Sequence, residues 1–109
     1  MSTSTHKIHE PRARSVKVSG QTLTLSLIDG RTIMVPLAWF PRLAHGTARE
    51  RAHVEIFGDG AHLHWPDLDE DLTVEGLLAG RRSGESPGSL RKWLDSRKDA
   101  PARRNIRRA

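Results

Sequence analysis

The sequence predicts a small α+β domain over residues 15–80, followed by a basic flexible tail. Three observations carry this. Residues 21–27 alternate between polar and leucine positions, the period of a strand with one buried face. Asp29-Gly30 then separates two strand-like runs, as a hairpin turn does. Beyond Gly80 the composition shifts to Gly, Ser and Arg. A chain of 109 residues suits one domain. Its hydrophobic fraction of 36% lies below the usual value of about 45–50%, so part of the chain is expected outside the core.

Residues 1–14 have no hydrophobic period and are expected to be flexible. Ser15 to Val18 reads as a first strand with Val16 and Val18 on one face. Ser19-Gly20 turns the chain. In the next strand Leu23, Leu25 and Leu27 point one way and Thr22, Thr24 and Ser26 the other. Thr32 to Val35 returns. A two-residue loop would pair Leu25 with Met34 and leave apolar residues on both faces. A three-residue loop, Ile28-Asp29-Gly30, pairs Leu25 with Ile33 and Leu23 with Val35, and makes one face apolar. That register is the expected one, with Gly30 in the left-handed conformation that closes such a loop. Pro36 ends the hairpin and starts a short helical segment, which Pro41 limits to about a turn. Ala48 to Ala52 adds another turn.

His53 to Phe57 and Ala61 to Trp65 read as a second hairpin around Gly58-Asp59-Gly60, with Leu63 and Trp65 on one face and His62 and His64 on the other. Asp67 to Asp71 reads as an acidic loop. Asp71 or Thr73 caps a helix from about Val74 to Ala79, closed by Gly80. The expected order is β-β-β-α-β-β-α. Residues 81–89 read as a linker, and a short helix is expected at 89–98, capped by Ser89 and broken by Pro101.

There is no cysteine, which excludes disulfides and thiolate chemistry. No apolar run approaches the ~20 residues of a membrane helix. Met1 to Ser15 lacks an apolar signal core, so a cytoplasmic protein is expected. Residues 81–109 hold 10 Lys or Arg against 3 acids, a balance of +7, whereas residues 1–80 hold 8 against 10, a balance of −2. An asymmetric charge of this kind points to an anionic partner for the tail, the alternative being a solubilising tail.

The ordered residues Asp29-Gly30-Arg31, Val35-Pro36-Leu37, Trp39-Phe40-Pro41-Arg42-Leu43, His64-Trp65-Pro66, Asp67-Leu68-Asp69-Glu70-Asp71 and Gly76-Leu77-Leu78-Ala79-Gly80 resemble the bacterial domain of unknown function 2442 family. The resemblance covers about residues 15–80 and implies a small α+β fold with a hairpin at its start. It implies no established reaction. Members are often encoded beside domain of unknown function 4160, an arrangement that looks like a toxin–antitoxin pair. It thus implies an interaction or regulatory role with a small, toxin-like protein partner.

Several constellations bear on function. His62 and His64, two apart on a strand, could join Asp67 or Asp69 around zinc or manganese, but no second histidine pair completes such a site. The cluster Asp67, Asp69, Glu70 and Asp71 admits three readings: helix capping, an acidic partner-binding edge, and acid–base catalysis together with His64. Trp39, Phe40 and Trp65 are core candidates, and Trp39 or Trp65 would anchor a partner if exposed. With Arg42 and the acidic cluster these tryptophans form the candidate partner surface. In the tail, Arg91, Lys92, Arg97, Lys98, Arg103, Arg104, Arg107 and Arg108 are candidate phosphate contacts, without a base-reading element. Leu90, Trp93 and Leu94 form a stripe that could order on a partner. No cofactor is expected, since no phosphate loop, dinucleotide fingerprint or catalytic triad pattern is present. The leading expectation is a non-enzymatic interaction module resembling an antitoxin. The rival is a small metal-dependent or acid–base enzyme built on His64, Asp67, Asp69 and Asp71. Convergence of those side chains on a concave pocket would favour the rival.

Overall fold

Alternation in residues 22–27 builds the centre of the domain. In this computed structural model, which describes residues 11–108 and the side chains of residues 11–98, Leu23, Leu25 and Leu27 lie fully buried on strand β2 (Thr22–Leu27). Strand β1 (Ala13–Ser19) pairs antiparallel on one side and β3 (Thr32–Pro36) on the other. Leu25 faces Ile33 and Leu23 faces Val35, as the three-residue loop requires. The loop closes with Leu27 N–H donating to the Arg31 carbonyl at 2.7 Å, and Gly30 has φ +100°. Val16 and Val18 oppose Leu25 and Leu23 and pack on the same core. β1 starts two residues earlier than expected. A bulge at Arg14 carries the register from Ala13 to Ser15, and Ala13 is itself buried. Residues 1–10 of the expected flexible N-terminus lie outside the described residues.

After Pro36 come a 3-10 turn at Leu37–Trp39, helix α1 (Pro41–Ala44) and helix α2 (Ala48–Ala52). Pro41 opens α1 rather than ending a helix, since the first turn needs no N–H from it. Thr47 and Glu50 form a reciprocal capping box on α2. Arg51 closes α1 from the other end, donating to the carbonyls of Leu43 at 2.8 Å and Ala44 at 2.6 Å.

The second sheet comprises β4 (Glu55–Phe57), β5 (His62–Trp65) and β6 (Glu70–Thr73), all antiparallel with β5 central. Leu63 and Trp65 point into the core and His62 and His64 outward, as the alternation implies. β6 was not expected: Glu70 and Asp71 lie on a strand, not in a loop. Carboxylates are poor strand formers, and only pairing with Trp65 and His64 of β5 makes this segment extended. The true turn is 66–69, where Leu68 is fully buried and Asp69 is left-handed at φ +51°. Thr73 then caps helix α3 (Val74–Leu78) by accepting from Gly76 N–H, and Gly80 leaves it at φ +78°.

The two sheets share one core, and a backbone bond ties their edges: Ala13 N–H of β1 donates to the Gly60 carbonyl of the β4–β5 turn at 2.6 Å. Among the described residues, thirteen buried apolar side chains form the core cluster, including Trp65, Phe40 and Leu68. Burial of each large side chain contributes about 1.5–3 kcal/mol.

Residues 81–98 do not follow the expected pattern of a free linker and short helix. Helix α4 spans Pro87–Arg108, with Ser86 rather than Ser89 at its start: Ser86 Oγ accepts from Ser89 N–H at 3.1 Å. It continues past Pro101, which deletes one backbone bond without ending the helix. No helix among the described residues is long and apolar enough to cross a membrane.

Candidate interaction surface

The acidic cluster does not act as one group. Its alternation about the 66–69 turn sends each carboxylate to a different neighbour. Asp67 Oδ2 lies 2.8 Å from His53 Nδ1 at the end of α2. Asp69 accepts from Arg42 Nη1 at 3.2 Å, and its backbone carbonyl does so at 3.1 Å. Asp71 Oδ1 lies 2.6 Å from His64 Nδ1 across the outer face of the second sheet. Glu70 points the other way, because neighbours on a strand alternate. Helix capping at α3 falls to Thr73, not to Asp71. Of the side chains proposed for catalysis, His64 and Asp71 meet each other, whereas Asp67 and Asp69 are held apart from them by His53 and Arg42. His62 stacks on Phe57 with ring centroids 5.1 Å apart, and no group of three metal-ligating side chains occurs among the described residues.

Trp65 is fully buried, its indole N–H donating to the Arg51 carbonyl at 3.0 Å. It is a core residue and cannot anchor a partner. Trp39 is half-buried under the Arg82 guanidinium, 4.4 Å from its ring, and its carbonyl accepts from Ser83 N–H at 3.0 Å. Both contacts pin the segment after Gly80 to the body.

Arg42 is the centre of a larger tie. Its Nη2 meets Glu85 Oε2 at 2.5 Å and its Nε meets Oε1 at 2.9 Å, a two-pronged pair whose side chains are only 16% and 10% exposed. Bidentate pairing of this kind is the strong form of the interaction. Arg42 holds the Glu85 carboxyl below the ordinary range, and Glu85 in turn raises the Arg42 guanidinium. The same guanidinium lies 5.0 Å from the Trp93 ring on α4, and that of Arg97 lies 4.7 Å from it. Arg97 then pairs with Glu50 through contacts of 2.8 and 3.1 Å. Burial alone would raise the Glu50 carboxyl, but Arg97 and the Thr47 N–H outweigh it and the net shift is downward. Trp93 is thus flanked by two arginines, one held by Glu50 of α2 and the other by Glu85 just before α4.

Of the tail residues singled out in the sequence, Trp93 packs against the core and Leu90 and Leu94 are half-buried. The surface that orders this stripe is the chain's own body. Arg97 is spent on Glu50, whereas Arg91, Lys92 and Lys98 are exposed, Lys98 lying 3.6 Å from Asp95. The side chains of Arg103, Arg104, Arg107 and Arg108 lie outside the described residues, although their backbone belongs to α4. Glu50 and Glu85 escaped the sequence reading. Thr47-x-x-Glu50 carries a readable capping-box signal, but nothing local marks Glu85, the single acid between Gly80 and Lys92.

Glu70 occupies the remaining feature. Strand β6, helix α3 and residues 81–84 enclose a cleft of about 350 Å³, with Phe40, Leu72 and Leu77 in its wall and Glu70 and Asp71 among its polar lining. Glu70 is partly buried and makes no side-chain hydrogen bond among the described residues. Burial pushes its carboxyl up to about 7; Arg42 opposes this, and the carboxylates of Glu85, Asp71 and Asp69 reinforce it.

Comparison with known proteins agrees with this architecture. No curated protein matches the chain. A protein of unknown function from Rhodospirillum rubrum, solved by crystallography, is 32% identical with a TM-score of 0.63, covering 71% of this chain and 95% of its own. An uncharacterized protein from Chromobacterium violaceum, solved by NMR in solution, shares the fold at 22% identity and a TM-score of 0.60, covering 87% of this chain and 83% of its own. Residues 13–83, from the first residue of β1 to the serine that bonds to Trp39, match the model of one family, and the chain therefore belongs to the family described as protein of unknown function (DUF2442).

Proposed function

We propose that this chain is a non-enzymatic interaction module: the folded body engages a small protein partner, and α4 presents positive charge to nucleic acid. An antitoxin-like component of a toxin–antitoxin pair is the role this suits, in the cytoplasm. The observation that carries the reading is the docking of α4. Two glutamate–arginine pairs and Trp93 fasten its first half to the body, while Arg91, Lys92 and Lys98 stay exposed. A helix anchored at one end and basic beyond it positions charge at a set place on the molecule, which a freely moving solubilising tail has no need to do. Asp67 and Asp69 go to His53 and Arg42, away from the His64–Asp71 pair, and this separation favours binding over the acid–base or metal-dependent alternative.

Salt dependence tests it. Each neutralised phosphate releases counterions, so about six contacts give a log–log slope near −5 on duplex DNA. Binding should be nearly independent of sequence, because phosphate contacts position without reading bases. Replacing Arg103, Arg104, Arg107 and Arg108 by Ala should flatten the slope in step with the charges removed. A flat salt profile for the intact protein, or full binding after removal of residues 81–109, overturns the reading.

A further inference from the structure

The cleft over Glu70 is the part of the body that the proposed function leaves unused. We infer that it receives the side chain of a lysine or arginine from a protein partner, with the alkyl stem against Phe40, Leu72 and Leu77 and the cationic head on Glu70.

Size, wall and charge each support that occupant. At about 350 Å³ the cleft lies at the lower end of the range for ligand sites, about 300–1,000 Å³, which suits one long side chain rather than a large cofactor. Its wall is apolar along Phe40, Leu72 and Leu77, the surface that a methylene stem covers. Its acid, Glu70, lacks a partner among the described residues, whereas Asp67, Asp69, Asp71, Glu50 and Glu85 all have one. The charges acting on Glu70 are Asp69, Asp71 and Glu85 against Arg42, and Arg42 is already committed to Glu85 and Asp69. The field at Glu70 is therefore negative. Arg81 and Arg82 stand at the rim; both are exposed, and Arg82 is stacked on Trp39. An anion would meet those rim cations but would have to lie against Glu70 to fill the cleft. The raised affinity of Glu70 for a proton reflects the same lack of a partner, which a bound cation would supply.

The inference rests on the proposed function only for the statement that the occupant belongs to a protein. It is tested on the full chain with small probes, so that failure of nucleic-acid binding by α4 leaves its outcome untouched. The probe is N-acetyl-lysine N-methylamide, titrated to about 10 mM and followed by amide chemical shifts; a single buried contact gives affinities of about millimolar order. The expected result is a saturable shift concentrated at Leu72, Gly76, Ser83 and Gly84, at least tenfold weaker for the norleucine analogue, which keeps the stem and lacks the charge. Glu70→Gln, which preserves shape, should weaken the lysine probe at least tenfold and leave the norleucine analogue unchanged. Equal binding of both probes by the natural chain, shifts spread over the outer Asp67–Asp71 edge, retention of the lysine response in Glu70→Gln, or preferential binding of inorganic phosphate would each overturn it. The comparison of two probes on the natural chain needs no variant to fold.

Discussion

The outer face of the first sheet carries Lys17, Thr24 and Met34 in one cross-strand row, whereas that of the second carries Glu55, His64 and Asp71. Both sheets bury the opposite face in the same core, through Leu23, Leu25 and Leu27 in one and Leu63 and Trp65 in the other. The first is mostly hydroxyl-rich and makes few side-chain contacts beyond its own turn. The second and its flanking turns supply Asp69, Glu70 and Asp71 to the Arg42 tie, the cleft and His64. The first sheet shows what alternation alone can build. The second shows that placing ionisable groups on a strand creates chemistry and at the same time weakens the pattern by which a strand is read.

Breaking the joint between the sheets should have the largest effect. Gly60, buried in the β4–β5 turn at φ +95°, leaves room for no Cβ: one built there would lie 2.7 Å from the Ala13 carbonyl oxygen. Gly30, at φ +100° in the matching turn of the first sheet, has open space around it. Gly60→Ala should cost about 3 kcal/mol or more, through strain and a displaced β1, and Gly30→Ala only about 1 kcal/mol. Urea midpoints of the two variants give the comparison directly. Equal losses would mean that the turns, not the joint, set the cost.

Next in size is the tie to α4. Trp93→Ala removes a half-buried ring and two cation–π contacts, and should cost about 2 kcal/mol, below the 3–5 kcal/mol of a fully buried aromatic. The loss should be accompanied by faster amide exchange along residues 85–98 and not along β2. Unchanged stability would show that α4 adds nothing to the body.

The smallest expected effect concerns Glu70 and is read against pH. Its carboxyl moves from the ordinary 4.5 to about 7 in the folded protein, first through burial, with Arg42 opposing and Glu85, Asp71 and Asp69 adding. The folded state therefore holds a proton that the unfolded state has released. The contribution of Glu70 is fully present below pH 4.5 and is lost as pH rises through about 7. Glu70→Gln, which cannot ionise, should be more stable than the natural protein at pH 8 by about 1 kcal/mol, discounted for the solvent reaching a partly exposed group. The two should converge at pH 4. Parallel stability–pH curves would show that Glu70 titrates as an ordinary carboxylate.

Sequence alone determined the hairpin, its register and its closing glycine, because a one-residue slip would turn Leu23, Leu25 and Leu27 from core to solvent and no other pairing hides them. It likewise determined the inward Leu63 and Trp65 and the family of the domain, and narrowed the α3 cap to Asp71 or Thr73, all of which rest on local spacing or on an ordered motif. Tertiary structure decided β6, since Glu70 and Asp71 have no strand preference of their own and are extended by bonds to β5. It decided that Trp39 is half-covered, which depends on what crosses above it. It decided the course of residues 81–98, where Glu85, Trp93 and Arg97 find Arg42 and Glu50 more than forty positions away. Ion pairs and buried clefts are made between segments distant in the chain. Their energy depends on geometry and desolvation that no local window of sequence contains.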